Sequence, residues 1–532
     1  MAICLEKTVG LQLRSAAENF SERVAYSFPE ENVEYTFRCL EAEVDAVAKA
    51  LIASGMKKAD HIAIWSTNCS KWILLLLGAA KLGVTIAPIN TNYKRKELEY
   101  IAAKSDAKML FYMPVYRGQK AVDALGGMPE LPGVWNVCMG EDVPRTGCLG
   151  WDAFLARGAE VTAEVLAQAA AQVAGEDFYS IQFTSGTTAM PKGALLQHAS
   201  VLRTAQTYAN CLHLDETDIT AIPLPLFHVF GNVLTALSPL ITGSCALYQA
   251  AFSANSLIEL LENKRCTTLA GVPTMYLALI GHPTFQDRDL SALKKGAMGG
   301  AYCPPAVAEK IDRTLDIKLS IGFGMSECAS LCTFSDIDAS MEQRLHSVGS
   351  PIEDVEVKVL DKETGELLSV GGPGEMLVRG YCVMSGYYNS PEETQEALDG
   401  EGWLHTGDVC FIDESGAVHV TGRLKDIIIR GGENISPSEI EEVLLSMDNV
   451  KDVRCVGVSD KVYGEEIAAF LITKDGGEID PDAVRQYAKE RLAFFKIPRY
   501  VFTIKEFPIN GAGKVLTREL REIAKKLVSD NH

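Results

Sequence analysis

An α/β fold is expected for this chain, with three parts. They are a large amino-terminal domain of mostly parallel sheets sandwiched by helices, a small β-rich subdomain, and a small α+β carboxy-terminal domain. Three observations lead there. Helical patterns alternate with short β-rich runs over the first four hundred residues, which is the mark of βαβ units. At 532 residues the chain is too long for one hydrophobic core. The alternation lapses near Asp354 and restarts after Asp426, so the domain boundary is placed at 424/425, giving 1–424 and 425–532.

Glu41 to Gly55 reads as an amphipathic helix, His61 to Trp65 as a strand, Ser70 to Leu82 as a helix and Val84 to Ile89 as a strand. Ala163 to Ala174 reads as an alanine-rich helix, and Asp354–Val359 and Gly374–Arg379 as strands with no helix between them. Trp72 to Ala80 is apolar but stops at Lys81, too short to span a bilayer. Ile219 to Ile258 lacks Asp, Glu, Lys and Arg, yet Pro223, Pro225, Gly231, Pro239 and Gly243 punctuate it. Core plus the wall of an apolar pocket is the expectation there, with no integral membrane segment.

Composition is that of an ordinary globular protein, 47% hydrophobic and 23% charged. The net charge of −20 argues against non-specific nucleic-acid binding and against docking on anionic membranes, since either needs a basic face. From Asp426 onward, 16 Lys and Arg meet 19 Asp and Glu, so the net charge there is only −3. The 14 cysteines are scattered without C-x-x-C pairs or metal-ligand spacing, and no secretory segment opens the chain. Free thiols in a reducing cytoplasm follow.

The run Phe183-Thr184-Ser185-Gly186-Thr187-Thr188-Ala189-Met190-Pro191-Lys192-Gly193 reads as a triphosphate-holding loop. Hydroxyls of Thr184, Ser185, Thr187 and Thr188 can donate to phosphate oxygens, Gly186 and Gly193 admit close backbone approach, and Lys192 adds a mobile cation. It is not a Walker loop, because a proline precedes the lysine and no Ser or Thr follows Lys192-Gly193. Downstream come Gly322-Phe323-Gly324-Met325-Ser326-Glu327, Gly402-Trp403-Leu404-His405-Thr406-Gly407-Asp408, Gly422-Arg423-Leu424-Lys425-Asp426 and Asn510-Gly511-Ala512-Gly513-Lys514.

In that order and at those separations the five segments resemble the motif series of the adenylate-forming (AMP-binding) superfamily, from about Val33 to the carboxy terminus. The resemblance is closest to its acyl-CoA synthetase branch. It implies ATP, Mg²⁺ and CoA as co-reactants, with Glu327 and Thr184 on the metal. Asp408 and Arg423 are then at the ribose, and Gly300-Ala301-Tyr302 and Gly322 to Ser326 line the nucleotide. Lys514 is the adenylation lysine, and Lys425 the hinge about which a mobile carboxy-terminal domain turns between two half-reactions. Gly431, Gly432 and Glu433 line the pantetheine entrance, while His228, Val229, Phe230, Gly231 and Gly299 form the acyl pocket.

Three departures stand out: Ala189 where glycine is usual, Phe323 where tyrosine is common and Ser326 where threonine is common. No charged catalytic group is lost by any of them. The reaction implied is formation of an acyl-adenylate and pyrophosphate from a medium- to long-chain fatty acid, then transfer to CoA with release of AMP. An aryl-CoA ligase for a benzoate- or cinnamate-like acid and a carrier-protein-loading adenylation enzyme are the alternatives. A homodimer is left open.

Overall fold

The computed structural model describes residues 5–93, 95–116, 119–120, 133–140, 148–184, 191–361, 364–430, 433–460, 463–509 and 515–530. They divide into two units, Met1–Glu356 with Val378–Leu404, and Val357–Leu377 with His405–His532. The position 424/425 expected for the boundary lies inside the second unit, which already includes Val357–Leu377 and residues 405–424.

The first unit carries two large sheets. One has nine strands in the order Ser350–Pro351, Thr333–Phe334, Lys318–Phe323, Lys295–Met298, Thr268–Gly271, Ile219–Ile222, Cys245–Tyr248, Val24–Phe28 and Val33–Thr36. Its run from Lys318–Phe323 to Val24–Phe28 is parallel throughout. The other has seven strands in the order Lys192–Gln197, Phe178–Thr184, Thr85–Ile89, His61–Trp65, Ala107–Tyr112, Trp135–Cys138 and Leu149–Gly150. All its pairings are parallel except the hairpin of the first two. Helices supply the crossovers that parallel strands require, so the α/β expectation holds.

The helix expected from Glu41 spans Phe37–Ala53, because Thr36 caps it by accepting from the Cys39 amide at 3.3 Å and Phe37 and Leu40 are fully buried. Helix Ser70–Leu82 is buried almost all round, as its apolar run requires. Lys81, where that run ends, is itself buried and is ion-paired with Asp45 and, at 3.6 Å, with Glu41 of the preceding helix. The alanine-rich helix is shorter than expected, Ala163–Ala170. The uncharged stretch resolves into strand Ile219–Ile222, a π-helical turn Phe230–Thr235, helix Ala236–Thr242, strand Cys245–Tyr248 and the start of helix Ala254–Asn263. Among the described residues, no helix is long and apolar enough to cross a membrane.

His198 opens helix His198–Cys211 and is fully buried, its Nδ1 accepting the Val9 amide at 3.3 Å. Desolvation pushes its pKa down to about 4. The unfolded chain binds a proton there near pH 6.5, which the folded chain refuses until about pH 4. The contribution of neutral His198 is therefore fully present above the unfolded value and is lost as pH falls through this window, by about 3 kcal/mol. Urea unfolding at pH 7 and pH 5 is expected to give a lower midpoint at pH 5. A His198→Gln variant should show a smaller difference between the two.

A four-stranded sheet (Val355–Leu360, Gly374–Gly380, Leu404–Ile412, Val418–Arg423), most of whose residues belong to the second unit, precedes in the chain that unit's five-stranded sheet. The five-stranded sheet alternates its side chains between two cores. Val453, Cys455, Ile467, Ala469 and Leu471 face helices Pro437–Leu445 and Pro481–Lys489, whereas Val456, Val458, Ala468 and Phe470 face helix Thr517–Asp530 through Leu520 and Ala524.

Candidate active site

Phe178–Thr184 and Lys192–Gln197 form an antiparallel hairpin with Thr184 opposite Lys192. Ser185, Gly186, Thr187, Thr188, Ala189 and Met190, the middle of the expected phosphate loop, lie outside the described residues. Gly193 has a different reason to be glycine than the one expected. It sits in the strand, and a Cβ there would lie 2.5 Å from Ile181 and 3.2 Å from the Phe183 ring. Cross-strand packing, rather than approach to an anion, excludes a side chain at this position.

Strand Lys318–Phe323 delivers the second motif. Gly324 passes so close to the Ser330 carbonyl that any Cβ would overlap it. Ala329 and Ser330 follow in left-handed conformations, with φ of +46° and +85°, which costs free energy for residues with side chains. Amide bonds from Ser330 to the Met325 carbonyl (3.1 Å) and from Leu331 to Cys328 (3.0 Å) hold this tight turn. It presents Glu327, which is 5% exposed. The short helical turn Ser326–Cys328 packs against both strands of the hairpin, which brings the Glu327 turn beside the strands that carry Thr184 and Lys192.

Tyr387, which sequence reasoning missed, joins them. Its hydroxyl donates to Glu327 Oε1 at 2.8 Å, and the Lys192 ammonium lies 5.3 Å from its ring centroid. Burial, then the adjacent carboxylate, pushes the phenol pKa up. The donor set fits a small hard cation: one buried carboxylate, with a threonine hydroxyl on the neighbouring hairpin, suits Mg²⁺ held mainly by water and phosphate oxygens.

The other motifs of this unit emerge at the carboxyl ends of parallel strands, where open α/β sheets bind ligands. Gly299, Gly300, Ala301 and Tyr302 follow Lys295–Met298, and Gly322 and Phe323 end the adjacent strand. His228, Val229, Phe230 and Gly231 follow Ile219–Ile222. A Cβ on Gly299 would lie 3.4 Å from the Gly322 carbonyl and 3.7 Å from the Phe230 ring, so the expected acyl and nucleotide residues meet there. Tyr208 backs Phe230 edge-on, with ring centroids 6.1 Å apart.

Buried amides hold the loop that leads into Phe230 in place. Asn68 donates to the Leu224 and Gln249 carbonyls and accepts from the Leu226 amide (2.8, 2.8 and 2.7 Å). Asn232, fully buried, donates to the Leu226 and His228 carbonyls at 2.9 and 3.0 Å and accepts from Gln182 at 2.9 Å. The His228 side chain is exposed, with the Phe227 ring packed against it at 4.6 Å between centroids. Neighbouring protein atoms shift its pKa downward by desolvation. A separate cavity of about 430 Å³, lined by Arg23, Glu34, Asp218 and Lys264, lies at the amino ends of the strands and touches none of these motifs.

The second unit assembles its own cluster. Asp408 and Arg423 are register partners on adjacent strands, and Arg423 Nε reaches Asp408 Oδ1 at 3.0 Å. Asp408 is 3% exposed, and its amide donates to the Thr406 hydroxyl at 3.1 Å. Lys425 follows in the turn Leu424–Asp426, half-buried, its pKa lowered by desolvation and then by Arg423. Arg430 is anchored on buried Glu466 at 2.9 Å and is the register partner of Glu433. Gly431, Gly432 and Lys514 lie outside the described residues.

The AMP-binding enzyme family profile matches residues 13–388, and that of the AMP-binding enzyme C-terminal domain matches 439–514. The chain belongs to the AMP-binding enzyme family. The Bacillus subtilis (strain 168) protein YngI, which carries an acyl-CoA synthetase name, is 36% identical over 537 residues, covering 98% of each chain. The medium-chain acyl-CoA ligase ACSF2, mitochondrial, of Macaca fascicularis is 33% identical over 539 residues, covering 97% of this chain and 87% of that one. Among solved structures, the anthranilate CoA ligase AuaEII in complex with anthranoyl-AMP superposes with a TM-score of 0.87 at 25% identity, over 99% of both chains. This AMP-binding enzyme is thus an acid–thiol ligase of the acyl-CoA synthetase group, whose members use ATP and CoA.

Proposed function

We propose that this AMP-binding enzyme activates a medium- to long-chain fatty acid. The acid's carboxylate attacks the α-phosphorus of ATP to give acyl-adenylate and pyrophosphate. The CoA thiol then attacks the acyl carbonyl, giving acyl-CoA and AMP. The observation that carries the reading is the gathering of Lys192 and Glu327 about Tyr387, with Phe230, Gly299 and Gly322 brought together at neighbouring strand ends of the same unit.

Glu327 and Thr184 are the residues that would hold Mg²⁺, which screens the charge of the triphosphate. Lys192 and the hydroxyls of Ser185, Thr187 and Thr188 bind phosphate oxygens. Gly300, Ala301, Tyr302 and Gly322 to Ser326 pack against the base, and Asp408 accepts from the ribose hydroxyls with Arg423 beside it. Lys514 stabilises charge on the in-line transition state. Residues 425–532 turn about Lys425 between the half-reactions, after which Gly431, Gly432 and Glu433 line the pantetheine path. A reducing, cytoplasmic setting is supported by the thirteen described cysteines, all free.

Chain length is argued from the stretch Ile219 to Ile258, which offers no charged selector, and from the medium-chain names among the relatives. An aryl acid is the second reading, favoured by the Phe230 ring, which Tyr208 backs from the core, and by the anthranilate ligase likeness. Pyrophosphate release with ATP and Mg²⁺ across C2 to C16 acids, benzoate, cinnamate and dicarboxylates, each with and without CoA, tests both. The expected result is release with loss of CoA thiol, peaking at C6 to C16. A peak at benzoate or cinnamate selects the aryl reading, and release without thiol loss redirects the search to a carrier protein.

A further inference from the structure

Tyr387 lies outside every motif singled out in the sequence, yet it touches two of the groups assigned to the nucleotide. Segment 384–388 is laid beside the strand that leaves the phosphate loop. The Leu195 amide donates to the Gly386 carbonyl (3.0 Å), Ser385 to Leu195 (3.0 Å) and Tyr388 to Gly193 (2.8 Å). Ala194 and Tyr387 form an antiparallel bridge. At its other end the Met384 amide donates to the Glu327 carbonyl at 2.8 Å, and the Tyr387 amide is held by the Thr394 hydroxyl at 2.9 Å. Backbone bonds thus tie this segment to both the Glu327 turn and the Lys192 strand, leaving Tyr387 little freedom to move between them.

We propose that Tyr387 is a positioning residue for adenylation, its hydroxyl orienting the Glu327 carboxylate and its ring seating the Lys192 ammonium. The two halves of the side chain act on different partners. The hydroxyl donates to one carboxylate oxygen, which limits the rotamers Glu327 can adopt and fixes where its charge is presented. The ring face attracts the ammonium, so Lys192 is held near the hairpin before ATP arrives instead of sampling its many rotamers. Pre-ordering both groups removes part of the entropy loss that ATP binding otherwise incurs.

This inference rests on Glu327 serving the metal–nucleotide, and the test separates the two claims. Tyr387→Phe keeps the ring and removes the donor, whereas Tyr387→Leu removes both. Binding of Mn²⁺ to the enzyme–ATP complex is followed by electron paramagnetic resonance without any acid present, beside pyrophosphate release as a function of Mg²⁺. Tyr387→Phe is expected to weaken Mn²⁺ binding and raise the Mg²⁺ half-saturation about tenfold, while kcat at saturating Mg²⁺ and KM for the acid stay within about twofold. Tyr387→Leu should in addition raise KM for ATP at saturating Mg²⁺. Circular dichroism melting within a few degrees of the parent qualifies each variant. If Glu327→Gln leaves Mn²⁺ binding unchanged, the role of Glu327 itself fails. If Glu327→Gln weakens it but Tyr387→Phe does not, the positioning role fails and Tyr387 is packing alone.

Discussion

Glu327→Gln is expected to slow pyrophosphate release about 100-fold or more while leaving the fold intact. Glutamine has the size of the carboxylate and still offers an oxygen to the Tyr387 hydroxyl, 2.8 Å away in the parent. The tight turn through Ala329 and Ser330 depends on backbone bonds that the side chain does not make. What disappears is the negative charge. Loss of an outer partner of a metal site already costs about 10- to 100-fold, so loss of charge on the ligand itself belongs at or above the top of that range. Because the deficit lies in the adenylation half, transfer to CoA from a supplied acyl-adenylate should continue at near the parent rate. Release within threefold of the parent at limiting Mg²⁺ would remove Glu327 from the mechanism.

Lys425→Pro should divide the half-reactions in the opposite sense: acyl-adenylate formation within about threefold of the parent, thioester formation slower by at least about tenfold. Proline fixes φ near −65° and is tolerated in a first helical turn, which is where Lys425 sits. Adenylation is expected to tolerate the fixed φ, because it needs only one arrangement about residue 425. A second conformation that needs a different φ at 425 is incompatible with it. Arg521 donates to the Lys425 carbonyl at 3.0 Å and pairs with Asp426 at 3.6 Å, which ties helix Thr517–Asp530 to this turn. Single-turnover measurements, first with ATP and acid, then with preformed acyl-adenylate and CoA, separate the steps. Equal slowing of both would show that Lys425 matters to the site and not to a rotation.

Much of this protein can be read from residue order. Strand His61–Trp65 and helix Ser70–Leu82 lie where apolar periodicity places them, because their pattern and the buried environment agree. Asp408 and Arg423 are separated in sequence but become register partners through a single hairpin, a short-range consequence of two adjacent β-rich runs. Boundaries were less legible. Asp354 was expected to open a strand but adopts φ of +55°, and the strand begins at Val355.

What residue order could not supply was the meeting of groups whose chemistry is unremarkable alone. Tyr387 is one tyrosine among 17, and nothing in Gly386-Tyr387-Tyr388-Asn389 marks it. It reaches Glu327, 60 residues away in sequence, because segment 384–388 is laid along the Lys192 strand. Gly193 likewise looked like part of an anion loop until its neighbours Ile181 and Phe183 were in place. Motif chemistry is carried by a few consecutive residues and survives reading along the chain. Positioning depends on distances between segments that only the packed sheets bring together.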